Sequence, residues 1–237
     1  IPANGLPCPT SNPLAFIHST YSMNDRIHAY GSKIFLQLTG GLGRSALPGF
    51  TAKHIAPSEN TNRFDPRITH REMTKEEIMN LIRRFIESAA IAKKAGFDGV
   101  EIHSAHGYLL NQFYSPLTNH RTDEYGGTLE NRIRLHCQII EAIRSQVGPE
   151  YPLALRLGAC EGLANGSTME DAVSACVQFE KAGVDLIDIT GGLGGYVRPG
   201  HSEQGYFQDF STAVKQAVSI PVLLTGGITE AAAAEAL

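Results

Sequence analysis

KAGFDGVEI, residues 94–102, is the stretch on which the fold turns, because the chain uses the same order again in KAGVDLIDI at residues 181–189. Each copy reads as the end of a helix, an Ala-Gly stop and a buried strand. One supersecondary unit used twice indicates repeated βα architecture. The segments around it extend the alternation. KIFLQLT (33–39), LALRLG (153–158) and PVLLT (221–225) read as further strands. Thr74-Lys75-Glu76-Glu77 is a capping box that opens a helix to about Ala95. Its apolar stripe is Ile78, Leu81, Ile82, Phe85, Ile86 and Ala89. A short helical turn is predicted over Tyr108–Tyr114, a helix over Leu129–Val147, a further helix capped by Ser167-Thr168-Met169-Glu170 and running to Ala182, and one near Asp209–Val218. A short helix is expected near Asn24–Tyr30, and Gly226-Gly227 lead into a last helix with Thr229 at its start. The segment Gly40–Thr69 reads as a long polar connection, a length that usually serves a function such as a lid.

Strictly alternating βα elements imply a parallel sheet with right-handed crossovers. A barrel is favoured over a doubly wound sheet, because polar residues cluster at several strands: Gln37, His103, Arg156 and Gly226. A barrel gathers its strand ends around one mouth. No G-x-G-x-x-G lies between a strand and a helix, which weakens a Rossmann reading.

The 237 residues are 42% hydrophobic, enough for one sizeable core. The net charge of −4 is spread without blocks, so neither a nucleic-acid groove nor an anionic membrane surface is indicated. No apolar run approaches a membrane span, and IPANGLPCPT lacks the layout of a secretory signal. Cys8, Cys137, Cys160 and Cys176 are scattered and read as reduced thiols, in keeping with a cytoplasmic setting.

The chemistry concentrates where the strand VEI runs into His103, His106 and Tyr108. Paired imidazoles at a strand end are able to aim two donors at one carbonyl oxygen. They also read as core histidines bonded to backbone, or as half of a metal site without its carboxylate. Tyr108 suits protonation of a carbanion-like centre, or plain packing with a bonded tip. Gln37, inside IFLQL, reads as a buried amide that needs partners from a flavin edge or from neighbouring backbone. Arg156, inside LALRLG, needs an anionic or electron-rich partner, either a salt bridge or a cofactor. Bare amides at Gly226 and Gly227 suit a phosphate or a tight turn.

HSAHGYLLNQFYSPLTNHRTDEYGGTLENRIR (103–134) resembles the signature of the Old Yellow Enzyme family of FMN-dependent oxidoreductases. The similarity runs through essentially the whole chain, with IFLQLTGGLGR, LALRLG and IPVLLTGGI matching the family's third, fifth and seventh strands. HAYGSKIFLQL and FDPRITHREMTKEEI resemble the enoate and 2,4-dienoyl-CoA reductase branch. The resemblance implies a TIM (β/α)8 barrel with FMN at its mouth and NADH or NADPH as co-substrate. By position, Gln37 would meet the flavin pyrimidine ring and Arg156 its N1/O2 edge, while Gly226 and Gly227 would help bind the phosphate. His103 and His106 would bind the substrate carbonyl, the second position holding either His or Asn in the family, and Tyr108 would be the proton donor. The implied reaction reduces the C=C bond of a small enone or enoyl substrate.

Against the family pattern the chain holds the third to seventh strands, so residues 1–237 are expected to be one partial FMN-binding barrel domain cut from a longer polypeptide. An iron–sulfur cluster and FAD, carried by related reductases after the barrel, would require further domains outside this sequence. No metal ligand set is expected within it, and the sequence leaves a monomer and a homo-oligomer both open. The alternatives are another flavin-barrel activity, such as amine demethylation or NADPH oxidation, and a non-catalytic barrel fragment acting as a binding module.

Overall fold

The computed structural model describes residues 9–49 and 54–237. The chain opens with α1 (Pro13–His28), longer than the short helix expected near Asn24–Tyr30. Asn12 caps it by accepting from the amide of Ala15, and Pro13 fills a first-turn position where no amide is needed. The Asn-Pro pair therefore starts the helix well before Asn24.

β1 (Phe35–Thr39) follows, and then a small three-stranded sheet of β2 (Ile55–Ala56), β3 (Asn60–Thr61) and β4 (Thr69–Glu72). Its strand order is β2-β4-β3. The long connection expected between Gly40 and Thr69 thus carries structure of its own, while residues 50–53 lie outside the described residues. Buried Asn62 organises it. Its amide nitrogen donates to Ala46 O at 2.8 Å, and its Oδ1 accepts from the amides of Phe64 and Asp65.

The alternation then runs α2 (Lys75–Lys94), β5 (Gly99–Ser104), α3 (Leu109–Tyr114), α4 (Leu129–Val147), β6 (Leu153–Gly158), α5 (Met169–Ala182), β7 (Leu186–Thr190), α6 (Gln208–Ala217), β8 (Val222–Leu224) and α7 (Ala231–Ala236). Capping boxes open α2 (Thr74 with Glu77) and α5 (Thr168 with Asp171). The five long-range strands pair in parallel in the order β1-β5-β6-β7-β8. Sequence order equals spatial order, as in consecutive staves, and the sheet is an incomplete TIM barrel with β1 and β8 at its edges.

The repeated nonapeptide explains how each stave is seated. Asp98 and Asp185 hold the same place in the two copies. Asp98 Oδ2 accepts the amide of Ile34, and Asp185 Oδ2 accepts the amide of Leu153, each at the foot of a neighbouring strand. The Ala-Gly stops place Gly96 and Gly183 at φ +86° and +114°, a turn that residues with side chains adopt at a cost.

Strand register divides the sheet into two faces. Leu38, Val100, Ile102, Leu153, Leu155, Leu157, Ile187 and Ile189 point outward and are buried beneath α2, α4 and α5. Ile78, Ile82 and Phe85 of α2, Ile139, Ile140 and Ile143 of α4, and Phe179 of α5 complete this core. The other face carries Gln37 and Glu101 as one register pair, His103, Arg156 and Asp188 as one row across three strands, and Thr190 at the end of β7. Polar and ionisable side chains thus line the barrel interior, where a soluble core would hold aliphatic ones.

Candidate active site

His103 ends β5 on the inner face and is 4% exposed. The chain then turns sharply. His106 takes φ +58°, a conformation uncommon for a residue with a side chain. The turn is fixed from several directions. His106 N donates to Gly191 O, Gly107 N donates to Asn111 Oδ1, and Gly107 O accepts from both Ser45 Oγ (2.7 Å) and Gln112 Nε2 (2.6 Å). Leu109 N donates to Gly41 O, which ties the turn to the loop after β1. A Cβ on Gly107 would stand 3.3 Å from Leu193 O and from the Arg63 guanidinium, and its φ of +74° favours glycine as well.

This turn brings the three expected side chains together. His103 Nε2 and His106 Nδ1 are hydrogen-bonded at 3.1 Å, and His106 Nε2 reaches Thr190 Oγ1 at 3.1 Å. The His103 ring lies 5.0 Å from the His106 ring and 5.2 Å from the Tyr108 ring, centroid to centroid. Burial, and the positive charge of Arg156 nearby, push both imidazoles down to about 4, so both are neutral at pH 7. A neutral imidazole still donates one N–H, and in the mutual bond one of the two facing nitrogens, His103 Nε2 or His106 Nδ1, carries the proton. Exposed Tyr196 stands edge-on to His106, with ring centroids 6.2 Å apart.

Arg156 sits in register with His103 on one side and Asp188 on the other. Its Nε is 3.2 Å from Asp188 Oδ2, and Nη2 donates to Thr225 Oγ1 at 3.4 Å. The partner was one of the two readings open from sequence, and a salt bridge is present. It leaves atoms unsatisfied, since buried Arg156 Nε, Asp188 Oδ1 and His103 Nδ1 lack a hydrogen-bond partner among the described residues. Burial pushes Asp188 up to about 7, against the pull of Arg156.

Two expectations are corrected. Gln37 was read as a buried amide, but it is exposed and donates to Glu101 Oε2 at 2.5 Å. The reason is topological, because β1 is an edge strand and its inner face lacks a neighbour on one side. Thr229 was read at a helix start, but α7 begins at Ala231 with Glu230 at its N-cap. Gly226 and Gly227 precede that helix and pack under Tyr206 and Phe207, where side chains would collide with the two rings. Phosphate binding there would rest on the glycine amides and not on a helix terminus.

Sequence reasoning missed Thr190, Asp188, Glu101, Ser45, Asn111 and Gln112. For two of them a signal existed, since Glu101 and Asp188 occupy the same position of the repeated nonapeptide, a carboxylate inside each buried strand. The inner face suits a flat ring system bearing donors and acceptors along one edge. Gln37 and Arg156 face it, and the partnerless Arg156 Nε and Asp188 Oδ1 are polar atoms such a ring would satisfy. Among the described residues no group of three His, Cys, Asp or Glu side chains is arranged to hold a metal ion, and no helix is long and apolar enough to cross a membrane. Cys137, Cys160 and Cys176 are free thiols, while Cys8 lies outside the described residues.

Comparison with known proteins agrees with this geometry. The profile of the NADH:flavin oxidoreductase / NADH oxidase family matches residues 16–237. Cinnamate reductase of Clostridium sporogenes is 40% identical over 243 residues, covering 93% of this chain and 36% of the reductase. NADPH dehydrogenase of Halalkalibacterium halodurans is 40% identical over 211 residues, covering 89% of this chain and 60% of the dehydrogenase. Among solved structures, 2-naphthoyl-CoA reductase in complex with 2-naphthoyl-CoA superposes with a TM-score of 0.81 at 28% identity, over 94% of this chain and 36% of that one. The Old Yellow Enzyme homologue from Zymomonas mobilis gives 0.73 at 25% identity, over 90% and 62%. The chain therefore spans about a third of the length of its larger relatives and three fifths of the smaller ones. From the profile match and the barrel geometry together, the chain belongs to the NADH:flavin oxidoreductase / NADH oxidase family, in its Old Yellow Enzyme and enoate reductase branch.

Proposed function

We propose that this chain is the FMN-binding barrel of an NAD(P)H-dependent ene reductase, which reduces the C=C bond of an α,β-unsaturated carbonyl compound. The observation that carries the reading is the convergence of two neutral imidazoles and a phenol on one turn, on the same sheet face as a guanidinium. The names of the relatives, cinnamate reductase and NADPH dehydrogenase among them, support the same chemistry.

Gln37 and Arg156 would hold the flavin ring, and Gly226 and Gly227 its phosphate. Bound FMN supplies a hydride relay from NAD(P)H to the substrate. The protein's part is binding and polarity. With their mutual bond exchanged for bonds to the substrate, His103 and His106 would each offer an N–H to its carbonyl oxygen, stabilising the negative charge that gathers there as the β-carbon is reduced. Their neutrality matters, because a neutral donor polarises the oxygen without surrendering a proton to it. Tyr108 holds a proton on its hydroxyl for delivery to the α-carbon, a role worth roughly 10²- to 10⁴-fold in rate. Ser45, Asn111 and Gln112 keep the turn in its strained form, so the donors are oriented before substrate arrives.

The test is reconstitution of the full-length protein with FMN, followed by anaerobic addition of NADH or NADPH and then of an enone. The reading requires a yellow protein that bleaches with the nicotinamide and recovers its colour with the enone. A protein that stays colourless in excess FMN would favour a barrel fragment that only binds or docks. NADH oxidase among the relatives supports a second reading, in which oxygen is the physiological acceptor. Recovery of colour in air but not with any enone would select it.

A further inference from the structure

Arg44 and Arg63 form an uncompensated pair of cations beside the catalytic turn. Arg44 sits in the 3-10 turn Gly43–Ser45, and Arg63 follows β3. Arg63 N donates to Arg44 O at 2.8 Å, and Arg44 Nε donates to Thr61 O at 2.9 Å, so the two backbones are locked together. The two guanidinium charges repel strongly enough that Arg63 adds to burial in lowering Arg44 below the usual arginine range.

No carboxylate offsets them. Every Asp and Glu of the chain lies among the described residues, and none makes an ion pair with either arginine there. Other arginines nearby are neutralised in the ordinary way: Arg67 by Asp65, Arg71 by Glu77, and Arg198 by Asp209. Among the described residues, the Arg63 side chain overlies the ring of Phe64, 5.6 Å from its centroid, and makes no ion pair or hydrogen bond, and Phe64 is itself exposed. Held like charges cost free energy, and a fold that keeps them gains it back when an anion arrives.

The placement is built and not incidental. The Arg63 guanidinium approaches Gly107, the residue between His106 and Tyr108, to within 3.3 Å of where a Cβ would stand. The turn that delivers it is set by buried Asn62, which caps the amides of Phe64 and Asp65 and anchors to Ala46 O. Ser45, the neighbour of Arg44, holds Gly107 O directly.

We propose that Arg44 and Arg63 form an anion subsite, so that the substrate carries a carboxylate or phosphate group remote from the carbonyl bound by the histidine pair. This rests on the ene reductase reading for the carbonyl, but the subsite itself is a claim about binding. A bidentate guanidinium contact to an anionic oxygen group would orient the enone with its carbonyl toward the histidine pair. It would also raise the local on-rate for anions.

The test uses the full-length FMN-loaded protein and two probes that differ by one charge, 6-oxoheptanoate and its methyl ester, with binding read by calorimetry. The carboxylate is expected to bind at least about tenfold more tightly than the ester. Arg63→Gln should collapse that preference to near unity, and Arg63→Lys should restore part of it. Arg63 is exposed and its side chain donates no hydrogen bond among the described residues, so the variants keep the fold. Displacement of the carboxylate by inorganic phosphate at concentrations where acetate has no effect would identify a phosphoryl group as the preferred anion, and the reverse order a carboxylate. Equal affinity for acid and ester, or a preference that survives in Arg63→Gln, would overturn the subsite. Reduction of methyl 6-oxohept-4-enoate is followed in the same preparation. If it fails while the charge preference holds, the ene reductase reading falls and the anion subsite stands.

Discussion

Arg156 and Asp188 face each other across neighbouring strands, guanidinium Nε 3.2 Å from carboxylate Oδ2, in the same register row as His103. Asp188 is buried, Arg156 is half-buried, and the pair is imperfectly satisfied, since Asp188 Oδ1 has no partner among the described residues. Because burial lifts Asp188 from an ordinary 3.8 to about 7, the folded chain holds a proton there that the unfolded chain has released. Stability from this group is therefore present at low pH and lost as pH rises through about 4 to 7. Asp188→Asn should remove that dependence. Urea unfolding at pH 5 and pH 8 checks it: wild type should lose stability relative to Asp188→Asn on going to pH 8. A constant difference between the two proteins would show that Asp188 is ionised throughout.

The histidines act in the opposite sense. His103, His106 and fully buried His136, bonded to Ser104 Oγ at 2.8 Å, are each pushed from 6.5 down to about 4, chiefly by burial. Their folded values are depressed, so the unfolded chain takes up protons first as pH falls. Stability is intact above about 6.5 and is lost progressively down to about 4. For His136 alone the shift corresponds to about 3 kcal/mol. Unfolding free energies measured between pH 7 and pH 4.5 in Asp188→Asn, where the carboxyl no longer titrates, should fall by several kcal/mol. A flat profile would mean that these rings are protonated in the native state.

His106 at φ +58° makes a discriminating substitution site. Asparagine tolerates this conformation better than most residues, while a β-branched side chain is strained there by about 1–2 kcal/mol. His106→Asn should fold with little change in melting temperature and retain carbonyl recognition through its amide N–H. His106→Val should be destabilised and should lose substrate affinity. Calorimetry of both variants, with binding of a substituted phenol as a carbonyl-oxygen surrogate, reads the two effects separately.

Gln112, fully buried, spends its amide on Leu42 O, Gly107 O and the Arg44 amide. Gln112→Leu fits the volume but strands these groups, at roughly 1–3 kcal/mol for each buried group left unpaired. Since Gly107 lies between His106 and Tyr108, the turn should loosen as well. The expected result is a fall in chemical unfolding midpoint together with a fall in kcat larger than the change in KM. A pure stability loss with kcat intact would remove Gln112 from the positioning role.

Much of this architecture is legible in the sequence because it repeats. The paired nonapeptides fix two helix ends, two glycine stops and two inner strands, and LALRLG matches β6 residue for residue. The capping box at Thr74 marks a helix start through chemistry that is local to four residues, while the cap expected over Ser167–Glu170 falls one residue later, on Thr168 and Asp171. What escaped is what depends on partners far along the chain. The exposure of Gln37 follows from β1 being an edge, which no local pattern records. The roles of Ser45, Gln112 and Thr190 arise from contacts 62 residues or more away for Ser45 with Gly107, 68 for Gln112 with Arg44, and 84 for Thr190 with His106. The small sheet around Asn62 was hidden because strands of two residues leave no periodicity to read.

The central claim is that Tyr108 delivers a proton to a substrate whose carbonyl is held by His103 and His106. Anaerobic stopped-flow absorbance on Tyr108→Phe in the full-length, FMN-loaded protein separates the two half-reactions. The account predicts that flavin reduction by NAD(P)H proceeds at the wild-type rate while reoxidation by an enone slows by roughly 10²-fold or more. Equal slowing of both half-reactions, or reoxidation at full speed, would contradict it.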